Sequence, residues 1–121
     1  NGPLGLFYSE SSAAHFPEGE TMAQMAHRAT HGVRELVRAH PDGFVWIVSH
    51  GDIIKAIVAD ALGVHLDHFQ RIVIDTASVS VINFSPRRPF VERLNDTGPI
   101  RLARKQDDKG SDAVVGGRAS Q

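Results

Sequence analysis

At 121 residues the chain fits one domain with a modest core, and its 41% hydrophobic content is ordinary for a soluble globular protein once eleven glycines are added. Thirteen basic against fourteen acidic side chains leave a net charge of -1, which makes no electrostatic case for nucleic acid or an anionic membrane; a small molecule or a protein surface is the expected partner. Without cysteine there is no disulfide framework and no thiolate metal site, so a reducing compartment is the default. The longest apolar runs, about five to eight residues, fall far short of the roughly 20 that span a bilayer, no basic-then-apolar leader opens the chain, and the location read from this is cytoplasmic.

Residues 1–15 mix Gly, Pro, Ser and Ala without periodicity and are expected to be irregular; the start on Asn1 rather than Met reads as a fragment or a processed product. The folded unit is expected over residues 16–98. Met22, Met25, Ala26, Ala29, Val33, Leu36 and Val37 recur at three-and-four spacing, which predicts an amphipathic helix over about residues 20–40. Pro17 and Gly19 before it and Pro41, Asp42 and Gly43 after it are its breakers. Residues 44–48 are apolar without polar alternation, the pattern of a parallel strand covered on both faces, and so predict a central strand rather than an edge. Ile53, Ile54, Ile57, Val58, Ala61 and Leu62 restore a helical stripe, with Gly63 placed for a left-handed C-cap. Residues 71–75, 78–84 and 90–94 are β-branched and aromatic, and the turn-forming residues 85–89 predict a hairpin between the last two. Residues 99–121 are polar and glycine-containing, with too little apolar surface to offset ordering entropy, and are expected to form a disordered tail.

The sharpest local feature is Ser49-His50-Gly51-Asp52, where a histidine ends the apolar strand and a glycine lets the chain turn into a helix. In open α/β sheets ligands sit beyond the carboxyl ends of strands. The next helix offers unpaired N–H groups and a favourable dipole to an anion. Gly51 permits close backbone approach, and His50 can add a donor and, when protonated, a positive charge opposite a phosphate. Spacing alone leaves a second reading open, in which His50 is a strand-end histidine satisfied by a neighbouring carbonyl.

Glu20 reads either as a functional carboxylate near the pocket or as a first-turn acid complementing the helix dipole, and Arg28 as a helix-surface or loop-anchoring residue. Ser78 and Ser80 alternate with valines and read as polar strand positions. His65 and His68 flank Asp67 at a spacing a metal could use, but no third ligand is evident, and neither metal nor cofactor is expected.

Pro17, Gly19, Glu20, Arg28, the strand before His50 and Ser49-His50-Gly51 together resemble the histidine phosphatase superfamily, the phosphoglycerate-mutase-like proteins. Asp52-Ile53-Ile54-Lys55-Ala56, Ala59-Asp60-Ala61-Leu62-Gly63-Val64-His65-Leu66-Asp67, Phe69-Gln70-Arg71 and Ala77-Ser78-Val79-Ser80-Val81 are similar to the actinobacterial members in particular. The resemblance covers about residues 14–98. It implies the C-terminal half of a three-layer α/β/α fold and hydrolysis of a small phosphorylated substrate through a phosphohistidine. His50 would be the second active-site histidine, with Gly51 and Glu20 at the phosphate or substrate. The nucleophile belongs to an Arg-His-Gly motif, which this sequence lacks. On this reading the chain alone is inactive, and the strand over residues 44–48 loses a neighbour, leaving an edge open to association, with a homodimer as one outcome. A noncatalytic phosphate-binding or interaction module and a mutase-type phosphotransferase are the alternatives.

Overall fold

The computed structural model describes residues 2–11 and 18–99. In chain order these form β1 (Leu4–Ser9), α1 (Met22–Ala39), β2 (Phe44–Ser49), α2 (Gly51–Leu62), a 3-10 turn (Leu66–Arg71), β3 (Val79–Phe84) and β4 (Pro89–Asp96). One four-stranded mixed sheet runs β2-β1-β3-β4. β1 is parallel to β2, with Leu4 beside Phe44 and Ser9 beside Ser49, and the β1–β3 and β3–β4 pairs are antiparallel.

The mixed α/β character, both helices and the closing hairpin follow the sequence. α1 is capped by Thr21, whose hydroxyl accepts from the Gln24 N–H while the Gln24 side chain accepts from the Thr21 N–H, a reciprocal capping box. Glu20 therefore lies before the N-cap, not in the first turn. α2 ends where Gly63 adopts φ 73° and the Gly63 and Val64 N–H groups bond to the carbonyls of Asp60 and Ala59, as a left-handed cap requires.

Three expectations need correction. Within the stretch expected to be irregular, residues 4–9 form the strand β1, and it takes the central place that periodicity assigns to β2. Its slot is tight: a Cβ on Gly5 would come within 2.9 Å of the Phe7 and Phe84 rings, so glycine at this position makes room for aromatic packing. Among the described residues β2 is correspondingly an edge strand, covered on one face, with Phe44, Trp46 and Val48 exposed and Val45 and Ile47 turned to the core. Residues 71–75 are not a strand. Arg71 ends the 3-10 turn and Ile72 is extended and buried, but the Asp75 N–H is taken by the side-chain oxygen of Asn95 at 2.8 Å rather than by a neighbouring strand. The expected tail lies outside the described residues from 100 onward.

Strand alternation divides the sheet into two faces. On one, Phe7, Ile47, Ile82, Phe84 and Val91 pack with Val33 of α1 and Ile54, Ile57 and Val58 of α2. On the other, Leu6, Val79 and Val81 gather with Leu4 and Tyr8, and no helix among the described residues covers them. Of the three layers implied by the resemblance, the described residues form the sheet and one helical layer.

Candidate functional site

Parallel pairing brings the carboxyl ends of β1 and β2 to one level. The Glu10 N–H bonds to the Ser49 carbonyl at 2.7 Å, which places Glu10 beside the step from β2 into α2. On the other side of β1, the Ser9 N–H bonds to the Ser78 carbonyl at 3.0 Å and the Ala77 N–H to the Ser9 carbonyl at 2.7 Å. Ser49, Ser9 and Ser78 thus form a row across β2, β1 and β3, next to His50.

His50 is the N-cap residue of α2, with φ -123° and ψ 160°, and it is half-buried. Its carbonyl receives the first helical bond, from the Ile54 N–H at 2.9 Å, while its side chain does not cap the helix. A helix begins with amide groups that have no helical acceptor, and here they belong to Gly51, Asp52 and Ile53. They and the imidazole stand at the same strand end, an arrangement suited to an anion. Gly51 sits close to the chain leading into β3: a Cβ there would stand 3.4 Å from the Ile74 carbonyl oxygen.

The first turn also carries Asp52, which lies 3.9 Å from Lys55. Lys55 itself is mostly covered, donates to Gln70 at 3.0 Å and stands over the Phe69 ring. It supplies positive charge one turn into the helix, a contribution missed in the sequence because Lys55 occupies an ordinary polar position of the α2 pattern.

The candidate carboxylate behaves differently. Both oxygens of Glu20 receive hydrogen bonds from Arg28, at 2.9 Å each. This pairing holds the Glu20 carboxyl below its usual range, chiefly through the hydrogen bonds and also through the charge of Arg28, against the opposing effect of its burial, and it raises the Arg28 guanidinium. Arg28 thereby ties the start of α1 to the second turn of the helix. His50 and Gly51 are adjacent at one strand end, whereas Glu20 is engaged by its own helix.

The remaining candidates have local roles. The Ser80 hydroxyl accepts from the Asn95 N–H at 3.1 Å, which fixes the left-handed Asn95. The Ser78 hydroxyl is buried and has no partner among the described residues. His65 Nδ1 accepts from the Asp67 N–H at 3.1 Å and caps the 3-10 turn, which accounts for their spacing. No group of three or more metal-capable side chains occurs among the described residues. A cleft of about 380 Å³ between α1, α2 and the hairpin is lined by Arg34, Asp60, Gly63 and Phe84. It belongs to the far end of α2, about 18 Å along the helix from His50 at 1.5 Å per residue, and so is separate from the chemistry at the strand ends.

The fold is a mixed α/β sheet with a histidine at a strand-to-helix turn, and comparison with known proteins gives it a family. Residues 3–97 match the Histidine phosphatase superfamily (branch 1), and the chain belongs to that family; the match takes in β1 as well as the segment around His50. Phosphoserine phosphatase 1 of Hydrogenobacter thermophilus is 33% identical over 88 residues, 73% of this chain and 42% of that protein. Among solved structures, Bacillus stearothermophilus YhfR superimposes with a TM-score of 0.60 at 26% identity, over 68% of this chain and 41% of that one. A phosphoserine phosphatase mutant from Entamoeba histolytica, in complex with phosphoserine, gives 0.60 at 18% identity, over 66% and 41%, and shares the fold. The chain therefore spans about two fifths of the length of these proteins. No described helix is long and apolar enough to cross a membrane.

Proposed function

We propose that this chain supplies the phosphate-gripping histidine, His50, of a phosphatase that works on a small phosphomonoester through a phosphohistidine intermediate. The observation that carries the reading is the position of His50 between the carboxyl end of β2 and the first-turn amides of α2. A transferring phosphoryl group needs donors and positive charge fixed around its equatorial oxygens. The imidazole, the first-turn amides and the Gly51 backbone would supply them, and the family resemblance adds Glu20, paired with Arg28, on the substrate side. Family membership and the similarity to phosphoserine phosphatase 1 support a phosphorylated metabolite as substrate, and the cysteine-free composition a cytoplasmic setting.

One observation favours a second reading, phosphate binding without turnover. β1 delivers Ser9-Glu10-Ser11 beside the His50 step, and no Arg-His-Gly occurs in the sequence, so the chain offers no family nucleophile opposite His50. Thermal unfolding of the 121-residue chain with orthovanadate tests the binding step, since a ligand that binds only the folded state raises stability, by about 2.7 kcal/mol at a hundredfold excess over Kd. The melting temperature is expected to rise by several degrees in the parent and by much less in His50→Ala; equal rises would remove His50 from the site. Hydrolysis of p-nitrophenyl phosphate by the protein expressed from its complete coding region separates the two readings: turnover lost in His50→Ala supports the first, and vanadate binding without turnover the second.

A further inference from the structure

Two pairs of histidines lie close together in this fold, and they are built differently. The His65 and His68 rings have centroids 6.4 Å apart but planes 70° apart, and His65 Nδ1 is already taken by the Asp67 N–H. The His27 and His31 rings have the same centroid separation, 6.4 Å, with planes only 15° apart. Both stand on the exposed side of α1, at the four-residue spacing that puts two side chains on one face of a helix. Among the described residues neither ring has a hydrogen-bond or ion-pair partner; the bond at His27 is to its carbonyl, from the Thr30 hydroxyl at 3.2 Å. The charged neighbours along the helix are engaged elsewhere: Arg28 pairs with Glu20, Arg34 with Asp60 and Glu35 with Arg38.

We propose that His27 and His31 form a two-imidazole site for a divalent late transition metal such as Zn2+. Imidazole nitrogens suit zinc, nickel and copper, and two histidines four apart on a helix offer theirs to one ion. Metal–nitrogen bonds of about 2.0–2.1 Å bring two such rings to roughly 5 Å between centroids, so these exposed side chains need only tilt toward each other. No group of three metal-capable side chains occurs among the described residues; within them the two imidazoles carry the ion, and water completes its shell. The geometry belongs to a single turn of α1 and depends on no other element. Its place also gives it a use. Gly32 follows His31 inside α1, and a Cβ there would meet nothing within 4 Å. Packing among the described residues thus makes no demand for glycine, which is the poorest helix former after proline. An ion bridging His27 and His31 ties together the turn that leads into this weak point and holds α1 against local unwinding.

Calorimetric titration with ZnCl2 of the metal-free protein, expressed from its complete coding region, tests the site. His27→Gln and His31→Gln keep a good helix former at an exposed position. Each is expected to weaken one Zn2+ binding event at least about tenfold, whereas His68→Gln leaves that event unchanged. Mg2+, which takes oxygen ligands, is expected to give no such event. Amide exchange is the second readout: in the parent Zn2+ is expected to slow exchange over residues 31–36 of α1, and in either variant to leave it as in the metal-free protein. If one variant fails to fold, the other and the exchange data decide. The proposal is overturned by a parent that binds no Zn2+, by binding that the folded variants retain in full or that His68→Gln abolishes equally, and by binding that leaves exchange in α1 unchanged.

Discussion

The helix-covered face of the sheet changes character along the strands. At its centre Phe7, Ile82 and Ile54 are fully buried, and dispersion and water exclusion hold the layers together. Two residues further along β1 the same face carries Ser9, flanked by Ser49 and Ser78. Small hydroxyl side chains add little to the hydrophobic term, and one of them, Ser78, is buried without a hydrogen-bond partner among the described residues. The centre is filled for stability, whereas the margin beside His50 is kept small and polar at some cost. Such a cost belongs at a site rather than in a core.

Truncating the two regions sharpens the contrast. Phe7→Ala should lower the unfolding free energy by about 3–5 kcal/mol, a large share of the roughly 5–15 kcal/mol of a typical domain, read as a drop in urea midpoint at constant slope. Ser78→Ala should be neutral or stabilising by up to about 1 kcal/mol, because it deletes a buried hydroxyl with no bond to lose. A loss above about 2 kcal/mol would put the serine margin in the structural core and break the comparison.

The smallest effect concerns the start of α1. The folded Glu20 carboxyl has a lowered pKa, mainly through its hydrogen bonds from Arg28. The unfolded state therefore binds more protons between the folded and unfolded values, and stability rises with pH across that window. The contribution is complete above the ordinary value of 4.5 and is lost as pH falls through the folded value. Arg28→Ala should flatten this part of the acid limb, as read from urea midpoints measured across the acid range, and leave the neutral plateau nearly as it was.

Periodicity and breakers made both helices, the Gly63 cap and the hairpin legible in the sequence, because each depends on residues close together in the chain. β1 escaped because Gly5 and Ser9 interrupt its apolar residues, and their value emerges only when the Phe84 ring and the Ser49 step are brought alongside. β2 looked central because five apolar residues do not reveal that, among the described residues, one face is exposed. Residues 71–75 had strand composition but found a side-chain partner in Asn95. At the site, His50 and Gly51 stood out through the strand-to-helix step. The serine row depended on register between three strands distant in sequence, and no local spacing announces that.

The central position of β1 also sets a timetable. Its partners are β2, which follows a whole helix later, and β3, where Asn83 sits beside Leu4. At about 5–20 residues per second of synthesis, several seconds separate the appearance of β1 from that of the strand that encloses it. During that interval β1 lacks its β3 partner. Long-range pairings of this kind slow folding, so the nascent chain is expected to occupy a holding chaperone until β3 has left the ribosome.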